Sequence, residues 1–73
     1  MRVTNKYADI PYELCLFRIE KAAEDKWKVI AECGEVGNIL ASYSTFEAAK
    51  QTMIDIQTAY SRGIKVFKIK EEN

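Results

Sequence analysis

Cys15 and Cys33 are the two cysteines of the chain, which contains no histidine. Two thiols without an imidazole cannot supply the four nitrogen and sulfur ligands of a usual zinc site. The commonest general base of enzymes is missing for the same reason, and the acidic residues are scattered along the chain. These residue types predict a protein that is not an enzyme and that holds no metal and no cofactor.

The pairing of the two cysteines depends on the register of a predicted β-hairpin. If Ile19 lies opposite Trp27, then Cys15 lies opposite Ala31 and is too far from Cys33 for a good disulfide. If the hairpin slips by two positions, Cys15 lies directly opposite Cys33. The sequence does not choose between these registers. The favoured interpretation for a cytoplasmic protein is two buried, reduced thiols that behave as small apolar side chains.

The charge balance argues against nucleic acid as the main partner. Eleven Lys and Arg residues are matched by eleven Asp and Glu residues, so the formal net charge is zero, whereas a DNA-coating protein carries a strong basic excess. Weak nucleic-acid binding is the alternative hypothesis, and its candidate contacts are Arg18, Lys28, Lys65 and Lys68. Lysines on an edge strand also prevent aggregation, a role that needs no partner.

The expected compartment is the cytoplasm, with no membrane partner. No stretch of the sequence approaches the ~20 consecutive apolar residues that span a bilayer. Residues 1–6 also lack the apolar core of a signal peptide.

The element best marked in the sequence is a helix over residues 44–63. Ser44 stands three residues before Glu47, which is the spacing of a capping box. Apolar residues recur at steps of three and four and predict one buried stripe, formed by Phe46, Ala49, Met53, Ile56 and Tyr60. Gly63 predicts the end of the helix, because glycine readily adopts the left-handed conformation that closes one.

Strands are predicted before and after this helix. Residues 12–20, 27–33 and 39–43 are rich in branched and aromatic side chains, as are residues 64–69. Short connections predict an antiparallel meander of the first three strands, and a right-handed crossover would place the last strand parallel to the first and beside it. The predicted fold class is therefore α+β, in the order β-β-β-α-β, with one helix packed on one face of a single sheet.

The chain divides into three segments in this interpretation. Residues 1–11 form an N-terminal arm with a candidate short strand at residues 2–4. Residues 12–70 form a single α+β domain, and residues 71–73 form a solvated tail.

The face of the sheet turned away from the helix is the candidate interface. Strand alternation places an apolar centre with a charged rim there, and its candidate residues are Leu14, Leu16, Arg18, Lys28, Ile30 and Leu40. The alternative is that the N-terminal arm covers this face through Tyr7, Ile10 and Tyr12. Pairing is favoured because it would enlarge the small core of a 73-residue domain.

The stretch ILASYSTFEAAK from Ile39, with SRGIKVFKI from Ser61, carries a resemblance. It is similar to small proteins of unassigned function from Gram-positive bacteria and their phages, and covers roughly the C-terminal half of the chain. The resemblance implies a compact α+β fold and a phage or mobile-element setting, and it assigns no catalytic residue. The function expected overall is a non-enzymatic protein-interaction module, homodimeric or bound to another protein, that regulates or inhibits a host protein.

Overall fold

The computed structural model describes residues 1–70 of the chain. Its regular elements in chain order are β1 Arg2–Thr4, β2 Asp9–Pro11, β3 Leu16–Ala23, β4 Lys26–Cys33, β5 Val36–Tyr43, α1 Phe46–Ser61 and β6 Val66–Lys68. A 3-10 helix at Tyr12–Leu14 connects β2 to β3. The predicted α+β class is confirmed. The predicted tail at residues 71–73 lies outside the described residues.

The predicted meander is confirmed as an antiparallel sheet in the order β3-β4-β5. Its hairpins are tighter than expected, because only two residues separate the end of β4 from the start of β5. Gly34 lies in that turn with φ +69°. A two-residue hairpin turn of this kind requires a positive φ at its first position, which glycine adopts without steric cost.

The register of the first hairpin is the one that brings the two cysteines together. Ile19 lies opposite Val29 and Phe17 lies opposite Ala31. Two residues further along each strand, Cys15 therefore lies opposite Cys33. The two form a disulfide with their Cα atoms 4.3 Å apart. The interpretation of two reduced thiols is therefore wrong, because the hairpin takes the register shifted by two positions.

A β-bulge in β5 places Leu40 and its neighbour Ile39 on opposite sides of the sheet. Val29 pairs with Ala41 but Ile30 pairs with Ile39, which leaves Leu40 as the additional residue on β5. Leu40 is 0% exposed and packs in the core with Ala41, whereas Ile39 is 53% exposed. The prediction that Leu40 lies on the uncovered face is wrong, because strict alternation fails where a bulge adds a residue.

The helix begins and ends close to the predicted residues. Its N-cap is Thr45, whose Oγ1 accepts a hydrogen bond from the Ala48 amide at 3.1 Å, one residue after the predicted cap. At its end Gly63 has φ +73° and the Ile64 amide donates to the Ala59 carbonyl at 3.0 Å. These are features of a Schellman motif, so the predicted role of Gly63 is confirmed.

The buried side of α1 is narrower than the predicted stripe. Ala49 and Ile56 are buried together with Ala59, and Met53 is half-buried. Two predicted members of the stripe, Phe46 and Tyr60, are 40% and 45% exposed. They pack at the margins of the core, through ring contacts described below for Tyr60 and through an edge contact between Phe46 and Trp27 with centroids 5.3 Å apart.

The prediction of one continuous sheet is wrong, since the last strand lies in a second sheet with the order β2-β1-β6. β6 is parallel to β1, with Val3 opposite Phe67, and does not lie beside the first strand of the meander. The short strand at residues 2–4 supplies the edge that β6 needs. Val3 and Ile10 from this sheet, and Ile69 directly after β6, join the same buried cluster as Leu40 and Ile56.

Residues 1–11, predicted as an arm, therefore contribute to the core. Arg2 and Asp9 form two side-chain hydrogen bonds across the β1–β2 hairpin, at 2.8 and 2.6 Å. The Arg2 guanidinium lowers the pKa of the Asp9 carboxyl by this hydrogen bonding. Asn5 connects the same hairpin to the meander, because its amide nitrogen donates to the Leu40 carbonyl at 2.7 Å.

Candidate interaction surface

The candidate site is the side of the β3–β4–β5 sheet that is turned away from α1. Trp27 contacts the helix, and Val29 and Ala31 lie in the core, so the alternate residues of β4 point to the other side. The strand registers then place eight side chains on this side, which we call the open face: Leu16, Arg18, Glu20, Lys28, Ile30, Glu32, Ile39 and Ser42.

Ile30 lies at the centre of the open face, between Arg18 on β3 and Ile39 on β5. It is only 7% exposed and yet is not a member of the core cluster, so its cover comes from the side chains around it. The expectation that Ile30 itself is an exposed contact is wrong. Its neighbours present the apolar surface instead, since Leu16 is 77% and Ile39 is 53% exposed.

The charges of the open face are arranged in opposite-sign neighbours. Arg18 donates from Nη2 to Glu20 Oε2 at 3.2 Å, and its Nη1 also forms an ion pair with Glu32. Lys28 lies opposite Glu20 on one side and Ser42 on the other. Both ion pairs of Arg18 are exposed, so they contribute little to stability but hold the guanidinium beside Ile30.

Leu14 is a predicted interface residue that the structure places beside the sheet. It ends the 3-10 helix Tyr12–Leu14, two residues before Leu16 on β3, and is 77% exposed. The sequence had assigned it to a strand. It is exposed, but it does not belong to the strands that form the open face.

A cleft of about 410 Å³ separates this end of β3 from the helix, and its lining residues are Tyr12, Glu13, Cys15, Leu16, Phe17, Met53, Gln57 and Tyr60. The Tyr12 ring packs between the rings of Phe17 and Tyr60, with centroids 5.2 and 4.6 Å apart. The cleft therefore combines aromatic and aliphatic side chains with the polar Glu13 and Gln57, next to the sheet edge.

None of the three residues expected to let the arm cover the open face packs on that face. Ile10 belongs to the core, Tyr12 packs on Tyr60 of the helix, and Tyr7 is 81% exposed. The arm therefore does not cover the open face through these side chains.

The four basic residues considered for nucleic-acid contact are not gathered on one sheet. Arg18 and Lys28 lie on the open face of the meander, and Arg18 is already engaged by two glutamates. Lys68 lies on β6 in the second sheet, and Lys65 immediately precedes that strand.

Residues 1–70 contain neither a metal-binding cluster nor a membrane-spanning helix. No group of three or more His, Cys, Asp or Glu side chains there is arranged to hold a metal ion. No helix in this part of the chain is long and apolar enough to cross a membrane.

Sequence reasoning missed Ile39 and the cleft beside β3. Ile39 lies on the open face because of the bulge, and no residue of β5 marks a bulge by its type. The cleft forms because the 3-10 helix places Tyr12 against both β3 and α1, whereas the sequence assigned Tyr12 to a strand.

Together these features define a small α+β protein with one sheet face uncovered by its helix. No protein-family model, curated protein or solved structure matches the chain. The geometry of the open face is therefore the basis for a functional proposal.

Proposed function

We propose that this protein is a non-enzymatic protein-interaction module that docks its partner on the open face. The observation that supports this most directly is the exposure of Leu16 and Ile39 on either side of the covered Ile30. Exposed apolar side chains set among charged ones are typical of protein interfaces. The partner in this proposal is a second copy of the chain or another protein.

The biological setting in this proposal comes from the resemblance of the C-terminal half. A small module from a phage or mobile element would act as a regulator or inhibitor of a host protein, since occupying a surface requires no catalytic residue. The balanced charges of Arg18, Glu20, Lys28 and Glu32 suit a partner face with both signs of charge in place of a uniformly acidic or basic one.

Site-specific photo-cross-linking tests the docking face. A photoreactive amino acid replaces Ile39 in one variant and Ile54 in a matched control, because both isoleucines are exposed, at 53% and 42%, and Ile54 lies on the outer side of α1. We expect Ile39 to give a discrete protein adduct in the native cell and Ile54 to give none. Equal adduct patterns from the two positions, or none from Ile39, would contradict the proposal.

The cytoplasmic location also belongs to this proposal, and the Cys15–Cys33 disulfide makes it testable. Structural disulfides persist in oxidising compartments and are rare in the cytosol. Labelling of free thiols in acid-quenched cells reports the state of both cysteines. Two labelled thiols would support the cytoplasmic location and show that this pair is reduced in the cell. An unlabelled protein would confirm the disulfide of the structure and contradict the cytoplasmic location.

A further inference from the structure

The outer edge of β3 is open to a further strand. β3 is the first strand of the order β3-β4-β5 and has β4 on one side only. Among residues 1–70, the main-chain hydrogen bonds of residues 16–23 run to β4 alone. An edge of eight residues with outward N–H and C=O groups is a ready template for pairing with another chain.

The side chains along this edge carry opposite charges two positions apart. Arg18 and Glu20 both lie on the open face, and their side chains are 46% and 54% exposed. Charged side chains usually protect an edge from pairing. A plus–minus alternation differs from a run of one sign, because it is complementary to its own copy in an antiparallel arrangement.

Only one antiparallel register of two β3 strands places their opposite charges against each other. A two-fold axis through Arg18 would set Arg18 against Arg18 of the second copy, and an axis through Glu20 would set the two Glu20 side chains against each other. Like charges directly opposite are destabilising. An axis through Ile19 instead places each Arg18 opposite the Glu20 of the other copy. The Arg18–Glu20 ion pair within each chain then becomes part of a four-charge network across the axis, with two additional opposite-charge neighbours.

The helix side of the strand is compatible with the same register. Ile19 would face Ile19 of the second copy, and Phe17 would face Lys21. Ile19 and Phe17 are half-buried, so pairing would cover apolar surface that one chain leaves accessible. A lysine ammonium beside an aromatic ring is also attractive. The irregularity between Lys21 and Ala23 limits the pairing to residues 17–21.

We propose that a second copy of this chain pairs with the free edge of β3, antiparallel and centred on Ile19, to form a continuous six-stranded sheet. The inference rests on the proposed interaction function in one respect, since it names a second copy as a partner. It uses the strand edge, however, and leaves both open faces on the same side of the sheet, where they form one longer docking surface.

Charge reversal at the edge tests the register. In sedimentation velocity, wild type is expected to show a mass that rises with concentration, and higher salt is expected to weaken the association. Arg18→Glu and Glu20→Arg each replace two attractive pairs by two repulsive ones, so each variant alone should dimerise at least about tenfold more weakly. An equimolar mixture of the two variants should dimerise again, and so should the double variant, because both restore opposite charges.

Lys50→Glu is the matched control. It reverses an exposed charge on α1, outside both the β3 edge and the open face, and should dimerise as wild type does. Far-UV circular dichroism and thermal unfolding show whether each variant is folded. Recovery in the mixture is informative even if the single variants are less stable, since each chain then carries its own destabilising change.

Several results would overturn the edge pairing. They are a monomeric wild type at up to roughly 1 mM, single variants that dimerise as wild type does, or a folded mixture that fails to recover. A dimer weakened by Ile39→Glu but not by Arg18→Glu would assign the contact to the open face, which rejects the edge and keeps the proposed function. Charge-swap recovery without any Ile39 adduct would keep the edge and reject docking on the open face.

Discussion

Asn5 shows how one side chain connects the two sheets. Its Oδ1 accepts hydrogen bonds from the amides of Tyr7 and Ala8, at 2.8 and 2.6 Å, and so closes the β1–β2 turn. Its Nδ2 donates to the carbonyl of Leu40, the additional residue of the β5 bulge. A bulge interrupts the ladder, so its main-chain groups need partners from elsewhere. The amide of Asn5 provides one.

Substitutions of Asn5 should therefore separate its contribution to the β1–β2 turn from that of its hydrogen bond to the Leu40 carbonyl. Asn5→Ala removes all three side-chain hydrogen bonds and should lower the free energy of unfolding by about 1–3 kcal/mol. Asn5→Asp keeps an acceptor for the turn but loses the donor to Leu40, so its loss should be smaller if the turn dominates. Urea unfolding measures both variants. An Asn5→Ala protein within about 0.5 kcal/mol of wild type would contradict this role.

Among the secondary-structure elements, the ends of α1 were predicted well, because helix caps depend on the residues at the helix end itself. Gly63 predicted the end of α1 correctly, because the helix is closed there by the left-handed backbone conformation of that one residue. The N-cap of α1 is Thr45, one residue after the predicted Ser44. Both residue types are good caps, and the packing of Phe46 on Trp27 is a tertiary contact that the local sequence does not show.

Pairing between elements was harder to predict, for a physical reason. Alternation fixes which residues share a face but is unchanged when a hairpin slips by two positions, so the sequence allowed Cys15 to oppose either Ala31 or Cys33. The bulge at Leu40 is a second such case. Leu16 and Arg18 lie on the predicted side of the sheet and are exposed. Ile30 lies on that side but is only 7% exposed, whereas Leu40 is buried in the core.

The bulge predicts opposite outcomes for two neighbouring substitutions in β5. Leu40→Ala removes a side chain that is 0% exposed and should lower the free energy of unfolding by about 2–5 kcal/mol. Ile39→Ala removes one that is 53% exposed and should change it by about 0.5 kcal/mol or less. Equilibrium denaturation of both variants measures the difference. Equal losses, or a larger loss at Ile39, would mean that β5 alternates without a bulge.

For the whole molecule, the central consideration is size. A chain of 73 residues has a small core, and this one is shared between two three-stranded sheets and one helix. β6 pairs with β1, so the last described strand holds the first one in place and Val3 and Ile69 enter the same cluster. Domains near this size commonly rely on a covalent cross-link or on association to reach adequate stability.

The disulfide should therefore be a large part of the stability of the molecule. Cys15 and Cys33 are separated by 18 positions, and closing a loop of that length removes about 3 kcal/mol of chain entropy from the unfolded state. Domains of this size are typically stable by roughly 4 to 11 kcal/mol. Reduction should lower the free energy of unfolding by about 2–4 kcal/mol, measured by urea unfolding with and without a phosphine reductant.

The double variant Cys15→Ala/Cys33→Ala is the control, because it should unfold at the same low denaturant concentration with or without reductant. A wild-type midpoint that does not respond to full reduction would show that the two sheets and the helix hold the fold without the cross-link. The core around Leu40, Ile56 and Val3 would then be sufficient alone, and the chain could keep this fold, with both thiols free, in a reducing compartment.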